Sequence, residues 1–490
     1  MEAADQSQLM PPRRVPSAPG ARMRFALMAA PALAAGLGLR LWMLKDLFLV
    51  NGDALIYGGL AKALLHGHYA LNMGGGAPVP TLIRLPGYPL LLALSFRLFG
   101  IENYFAVALL QIALELLGCL LLAEFAGRSA PPQLKSGARL ATLWLAALCP
   151  FTASYAVVPL AEASTLFVLA LALWAMARFH DRPGWGSALW FTFAVTFAAL
   201  LRPDGPLVAV ALAPALVIPL LRPSATAAIP LNKLLRMTTV CVLLALAPFA
   251  VWTARNWQVF HVFQPLAPRL AMDPGEDSQE GWVRWVRTWC LDFSSTYDIY
   301  WNVPDGVLDL SKLPARAFDS PAQYAETAAL AAGYNTHGQD ITPDINARFE
   351  RLAEERIAAH PVRYYVWLPL GRLADMVFRP RVENLNIDLD WWVYEHHDDE
   401  TCFSWAYAAL NALYLLLAAV GLKLRPRFGK AMLAYILLRS AMLLTVEAPE
   451  TRYTLEFFPM LFALGGIGLY WVVNRVCLSV LRVKASAARA

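Results

Sequence analysis

Long apolar runs separated by short polar breaks dominate the chain, and several reach the roughly 20 residues needed to cross ~30 Å of hydrocarbon. They predict about ten spans, near 24–44, 104–126, 138–157, 160–179, 186–201, 205–221, 236–256, 403–422, 430–446 and 457–475. The breaks around Pro159 and Pro203 read as tight hairpins. Two polar segments are too long to be turns. One, 45–103, follows the first span; the other, 257–402, holds most of the acidic residues and shows helical spacing from Ala322 to Ala332 and from Ile345 to Ala359. Trp282, Trp285 and Trp289 line one helix face there, as an interfacial helix or a domain core would.

Lysine and arginine set the orientation. With residues 1–22 inside as a disordered tail, the inner segments collect Arg13, Arg14, Arg22 and Arg24, then Arg128, Lys135 and Arg139, then Arg178 and Arg182. Arg222, Lys233 and Arg236 follow, then Lys423, Arg425, Arg427 and Lys430, and finally Arg475, Arg482, Lys484 and Arg489. The short outer segments hold few, as positive-inside counting requires. The expected organisation is a tail at 1–22, a membrane module at 23–256 with its outer loop at 45–103, an outer domain at 257–402, membrane helices at 403–476 and an inner tail at 477–490. Apolar residues continue past Ala32-Leu33-Ala34, so the first span reads as an uncleaved anchor.

Composition agrees: 58% of residues are hydrophobic and 16% charged, with a mean hydropathy of +0.46. A soluble class is excluded. The net charge of +5 reflects topology, not a nucleic-acid partner. Of the six cysteines, Cys290 and Cys402 both fall on the outer side, where a disulfide is chemically allowed.

The unusual polar residues all reach one face. Asp53 and Arg84 lie in the first outer loop, Glu162 opens the fourth span, and Arg202 precedes Pro203 at the next outer hairpin. Arg255 closes the seventh span, and Glu450, Arg452 and Tyr453 form the last outer connection. A shared polar site at headgroup level follows. Bland roles stand beside it: Asp53 could cap a helix, Arg84 could snorkel to phosphates, Arg202 could anchor topology, and Glu450 with Arg452 could form a local ion pair. Glu162 lies inside an apolar run, where ionisable groups are costly and tend to be functional. Glu115, mid-span in the second helix, reads as either protonated or paired with a neighbouring helix. His396-His397-Asp398-Asp399-Glu400 has metal-binding residue types but reads as a solvated acidic loop.

Asn51-Gly52-Asp53 with Tyr57, then Pro86-Gly87-Tyr88-Pro89, resembles the first-loop signature of the GT-C glycosyltransferases. The branch is that of protein O-mannosyltransferases, aminoarabinose transferases and RgtA/B/C/D-like enzymes, families 39 and 83. Ala161-Glu162-Ala163-Ser164, Leu201-Arg202-Pro203-Asp204-Gly205, Trp252-Thr253-Ala254-Arg255-Asn256 and Arg452-Tyr453 resemble its later motifs, in order. Ala54 after Asp53 departs from the Asp-Glu of the mannosyltransferases, and Ile83 before Arg84 lacks the acid of the aminoarabinose transferases.

The resemblance implies an all-α polytopic membrane protein of GT-C fold, with outer-face juxtamembrane helices and a mainly helical outer domain. It implies an inverting transfer of sugar from a polyprenyl-phosphate donor to a lipid, glycan or protein acceptor, with Asp53 as general base. Arg84, Arg202, Arg255, Arg452 and Tyr453 would hold the donor phosphate, supported by Glu162 and Glu450. The resemblance implies no cofactor with certainty and leaves a divalent metal ion open. The setting implied is a bacterial inner membrane with the site on the periplasmic face, among membrane lipids. Two other classes remain: a transporter or flippase of lipid-linked sugars, and a non-catalytic scaffold. Transporters tend to show paired repeats and polar groups near the midplane; here most of the unusual charges gather at one face and repeats are not evident.

Overall fold

The computed structural model describes residues 19–72, 76–221, 230–277 and 279–487. Most of the expected tail at 1–22, the last residues of the tail at 477–490, and Arg13, Arg14, Arg222 and Arg489 lie outside them. The chain is helical almost throughout; the strand pair described is Ala70–Leu71 with Val79–Pro80, antiparallel, inside the first loop. In order the helices are α1 (Pro19–Leu47), α2 (Asp53–Leu65), α3 (Gly87–Phe99), α4 (Tyr104–Ser129), α5 (Lys135–Ala147), α6 (Pro150–Ala156), α7 (Glu162–Asp181), α8 (Trp185–Leu201) and α9 (Pro206–Leu221). Then come α10 (Leu231–Phe260), α11 (Glu280–Arg287), α12 (Phe293–Ser295), α13 (Pro321–Thr336), α14 (Pro343–Ala359), α15 (Leu368–Phe378), α16 (Asp398–Lys423), α17 (Gly429–Leu443) and α18 (Phe458–Ala487).

Among the described residues, six helical stretches are long and apolar enough to cross a membrane: those of α1, α4, α7, α10 and α16, and Thr451–Ser479 leading into α18. The chain is a multi-pass, all-α membrane protein. The other expected spans are shorter. Helices α8, α9 and α17 have 17, 16 and 15 residues, roughly 23–26 Å of rise. The span expected at 138–157 is two helices, α5 and α6. Pro150 lacks an N–H and disfavours a helical residue before it, and the break falls at Leu148-Cys149. Gln111 Nε2 on α4 donates to the Ala156 and Val158 carbonyls where α6 ends, at 3.2 and 2.7 Å.

The bundle packs α4 against α5 and α7, and α18 against α5 and α16. Small residues permit the closest crossing: a Cβ on Gly421 would lie 1.9 Å from the Leu464 carbonyl oxygen. Arg40, which interrupts the first span, is fully buried and pairs with Glu115 of α4. It also donates to the Gly36 and Ala147 carbonyls at 2.8 and 2.7 Å, and Thr152 Oγ1 donates to Glu115 at 2.9 Å. Glu115 thus has its neighbouring-helix partner. At one end of the bundle Arg128 and Arg427, both assigned inside, converge on Asp181.

The insert between α10 and α16 has its own core. Trp282, Trp285 and Trp289 are each 1% exposed and pack with Phe349, Leu352 and Tyr334, so the tryptophan stripe is core and not an interfacial face. Cys290 is buried in the insert while Cys402 is exposed on α16, and both are free thiols. No disulfide joins them.

Candidate active site

The first loop is shaped around two glycines. Gly52 adopts φ 47°, a left-handed turn that lets α1 end and α2 begin at Asp53. Gly87 opens α3 so close to α8 that a Cβ would meet the Leu200 carbonyl carbon and oxygen at 2.6 Å. Pro-Gly-Tyr-Pro therefore seats α3 against the C-terminus of α8, two residues before Arg202. Tyr69 Oη donates to the Arg84 carbonyl at 3.0 Å and fixes the bend that carries Arg84.

Asp53 is the first residue of α2, and its carboxylate makes no capping bond. Both oxygens are taken by arginines: Arg84 Nη2 lies 2.8 Å from Oδ1 and Arg452 Nη1 3.3 Å from Oδ2. Residues 31 and 399 positions away thus meet on one carboxylate. Arg452 also pairs with Glu450 and comes within 4.0 Å of Glu162. Arg202 bridges Glu162 at 3.5 Å, Asp204 at 3.4 Å and Glu456 at 3.0 Å. Tyr453 donates to Glu450, and its ring lies 5.8 Å from the Arg202 guanidinium and 5.7 Å from that of Arg452. Seven of the eight expected residues therefore form one cluster.

Arg255 is the exception. Its guanidinium donates to the backbone carbonyls of Tyr69 and Thr81, at 2.7 and 2.8 Å, and sits over Tyr69, Trp252 and Phe260. It clamps the first loop to α10 and touches none of the other seven.

Sequence reading missed several members. Arg439 of α17 pairs with Asp204 and with Glu456 (2.7 Å), and Tyr435 Oη donates to Glu456 at 3.1 Å. Arg439 also donates to the Tyr453 carbonyl at 3.1 and 2.8 Å. Arg381 holds the same turn from the other side, through the Thr451 carbonyl at 2.9 Å and Thr454 Oγ1 at 2.6 Å. An arginine inside the apolar run 430–446 was the available signal for Arg439. Nothing in the sequence marked Arg381, because its partners are neutral carbonyl, amide and hydroxyl groups, with no acidic residue among them to suggest a pair.

Asp53, Glu162, Asp204, Glu450 and Glu456 outnumber Arg84, Arg202, Arg439 and Arg452 by one, and every one of these guanidiniums is engaged. Burial pulls the Asp53 carboxyl up, but Arg84 and Arg452 outweigh it and hold it below the usual carboxylate range. Asp53, Arg84 and Arg452 are nonetheless about a quarter exposed, at 25, 24 and 22%. An anion entering there competes directly with Asp53 for its arginines.

A cavity of about 490 Å³ adjoins the cluster, bordered by Arg452, Glu450 and Asn51 and roofed by the insert. Among the described residues, the grouping able to hold a metal ion is Asp388, Asp390 and His397, with ligand atoms within 4.8 Å of one another. Asp388 and Asp390 are 67 and 60% exposed and already pair with His397. The chain thus has a donor set that could take a metal, but an open one on the surface, and none of its three residues is a hydrogen-bond or ion-pair partner of Asp53.

No family model matches the chain, and no curated protein matches it. Among solved structures it is similar to the oligosaccharyltransferase of Archaeoglobus fulgidus complexed with zinc and sulfate, at 13% identity and a TM-score of 0.46, covering 94% of this chain and 51% of that one. The archaeal AglB from Archaeoglobus fulgidus, with an inhibitory peptide and a dolichol-phosphate, gives 11% and 0.45, covering 95% and 52%. ArnT from Cupriavidus metallidurans bound to undecaprenyl phosphate gives 14% and 0.38, covering 92% and 78%. The chain spans about half the length of the archaeal proteins. Likenesses of overall shape at this level say nothing about the chemistry of the site.

Proposed function

We propose that this chain is a membrane glycosyltransferase of the GT-C type, moving a sugar from a polyprenyl-phosphate donor to an acceptor at the outer face of a bacterial inner membrane. One observation carries the reading: acids and arginines from four distant segments of a membrane protein converge beside a cavity at one end of its apolar helices. A prenyl tail keeps the donor phosphate at that depth, and a phosphate leaving group needs cations placed there in advance.

The mechanism follows from the shared arginines. In the free protein Asp53 is a poor base because Arg84 and Arg452 neutralise it. The donor phosphodiester, itself a monoanion, competes with Asp53 for those guanidiniums, and does so more strongly as its leaving oxygen gains charge. Asp53 then regains basicity only when donor is present. The acceptor hydroxyl attacks the anomeric carbon and its proton passes to Asp53. The bond from that carbon to the phosphate oxygen breaks, and the electron pair leaves on the phosphate, held by Arg84 and Arg452. Configuration inverts. Arg202, Tyr453, Glu162 and Glu450 keep the exchanging arginines in register, and Arg255 acts on donor binding only through the loop it clamps. The region 257–402 would roof the acceptor side.

The test is sugar transfer from polyprenyl-phosphate donors by purified protein in nanodiscs, with Asp53→Asn in parallel. Transfer that is lost in the variant supports the reading; unchanged turnover in the variant would sink the base assignment. Lipid scrambling with no transfer from any donor would make the protein a flippase instead.

A further inference from the structure

The cavity beside the cluster has a lining that does not suit the donor phosphate. Its carboxylates are Asp46, Glu383 and Glu450, and its one cation is Arg452, already shared between Glu450 and Asp53. Asn51, Asn384 and Asn386 add amides that can donate and accept. Such a wall repels anions and offers many hydrogen-bond partners to hydroxyl groups.

Aromatic side chains also line the cavity. After α12 a π-helical turn at Thr296–Tyr300 carries Tyr297, and Trp301 follows. Their ring centroids lie 5.8 Å apart, and Phe293 is 5.5 Å from Trp301. The same insert buries Trp282, Trp285 and Trp289 almost completely, yet leaves Trp301 46% and Tyr297 52% exposed. Leaving rings of this size wet at a cavity mouth forgoes burial that the neighbouring tryptophans obtain. A ligand with an apolar face would recover it.

We propose that this cavity binds a neutral pyranose glycan, with Trp301 and Tyr297 stacking on the C–H face of a sugar ring and Glu383, Asn386 and Asp46 taking its hydroxyls. The volume of about 490 Å³ lies within the roughly 300–1,000 Å³ typical of small-molecule sites. Glu383 is held from behind: Arg379 Nε donates to one oxygen and Thr451 Oγ1 to the other, at 2.9 and 2.8 Å. Those contacts aim the carboxylate and tie it to the turn that carries Arg452. Calling this glycan the acceptor rests on the transferase reading; the site itself does not.

The test uses full-length protein in nanodiscs and saturation-transfer NMR with neutral glucose-, galactose- and mannose-type disaccharides, galacturonate and inorganic phosphate. Saturable transfer to at least one neutral disaccharide is expected, weakened about tenfold by Trp301→Ala, the scale of one lost aromatic contact. Trp301→Phe should retain most of the binding, and thermal melting checks that each variant folds. Binding of no neutral disaccharide, equal binding by Trp301→Ala, or stronger binding of galacturonate or phosphate would overturn the proposal. Trp301-dependent binding without transfer from any polyprenyl-phosphate donor would leave the glycan site standing and remove the transferase reading. Transfer with no such binding would do the reverse.

Discussion

Arg40 and Glu115 meet in the middle of the bundle with 0 and 4% of their side chains exposed, whereas Asp53, Arg84 and Arg452 meet at its end about a quarter exposed. Both clusters pair carboxylates with guanidiniums. Around Arg40 one terminal nitrogen, Nη1, donates to both the Gly36 and Ala147 carbonyls, and Glu115 takes Thr152, with α1, α4, α5 and α6 closing over the pair. Around Asp53 the charges form a chain of shared partners that opens on a cavity. A closed, buried pair can only hold helices together. An open chain of shared partners can exchange one of them for a ligand.

Two substitutions test that contrast. Asp53→Asn is expected to cost about 10²–10⁴-fold in transfer rate, the usual worth of a general base, while thermal melting in nanodiscs changes little because water reaches the site. Arg40→Leu is expected to act in the opposite sense. It strands Glu115 in the bundle and should cost about 3–5 kcal/mol of stability, read as loss of folded protein, with any surviving fraction retaining its rate per folded molecule. Replacing both partners, Arg40→Met with Glu115→Leu, should restore most of the loss. If Asp53→Asn unfolds the protein, or Arg40→Leu leaves stability unchanged, the division between closed and open clusters fails.

That division was only half legible in the sequence. Asp53, Arg84, Glu162, Arg202, Glu450, Arg452 and Tyr453 could be assigned to one face because span counting and the basic residues fix sidedness, and sidedness suffices to predict convergence. It does not reveal partners. Asp204 stood in a motif already singled out, yet its pairing with Arg202 and Arg439 depends on how α8, α9 and α17 cross. Arg255 matched a motif and faced the same side, but its reach is spent on the first-loop backbone. Helical spacing gave the tryptophan face without saying what covers it. The apolar run at 138–157 hid a break, since hydropathy averages over the Pro150 backbone effect.

A smaller effect is expected from Arg84→Lys. A single ammonium can keep the contact with Asp53 but lacks the planar fork that grips phosphate at two points. About a tenfold rise in the donor KM with little change in kcat would mean that the lost fork gripped the phosphate equally in the bound donor and in the transition state. An equal fall in kcat and kcat/KM would move it to the transition state instead.

The smallest effect sets Asp53 against Asp375, one carboxyl held low and one pushed high. Asp375 lies on α15 in the insert, with Arg379 at 3.7 Å and its Oδ2 buried without a hydrogen-bond partner. Burial raises its pKa to about 7, against Arg379, which lowers it. The signs are therefore opposite. Asp53, depressed, contributes stability above the unfolded carboxyl pKa of about 3.9 and loses it as pH falls through its lower folded value. Asp375, raised, carries no penalty below about 3.9 and an increasing one as pH climbs to about 7, where it levels off. Asp375→Asn should match the parent near pH 4 and be more stable near pH 8, by roughly 1–2 kcal/mol once solvent at its exposed edge is allowed for. Asp53→Asn should be slightly less stable than the parent near pH 7, with the gap closing only in strong acid. Melting curves of both variants across pH 4–8 would show the two trends diverging; parallel curves would mean that Arg379 governs Asp375 as Arg84 and Arg452 govern Asp53.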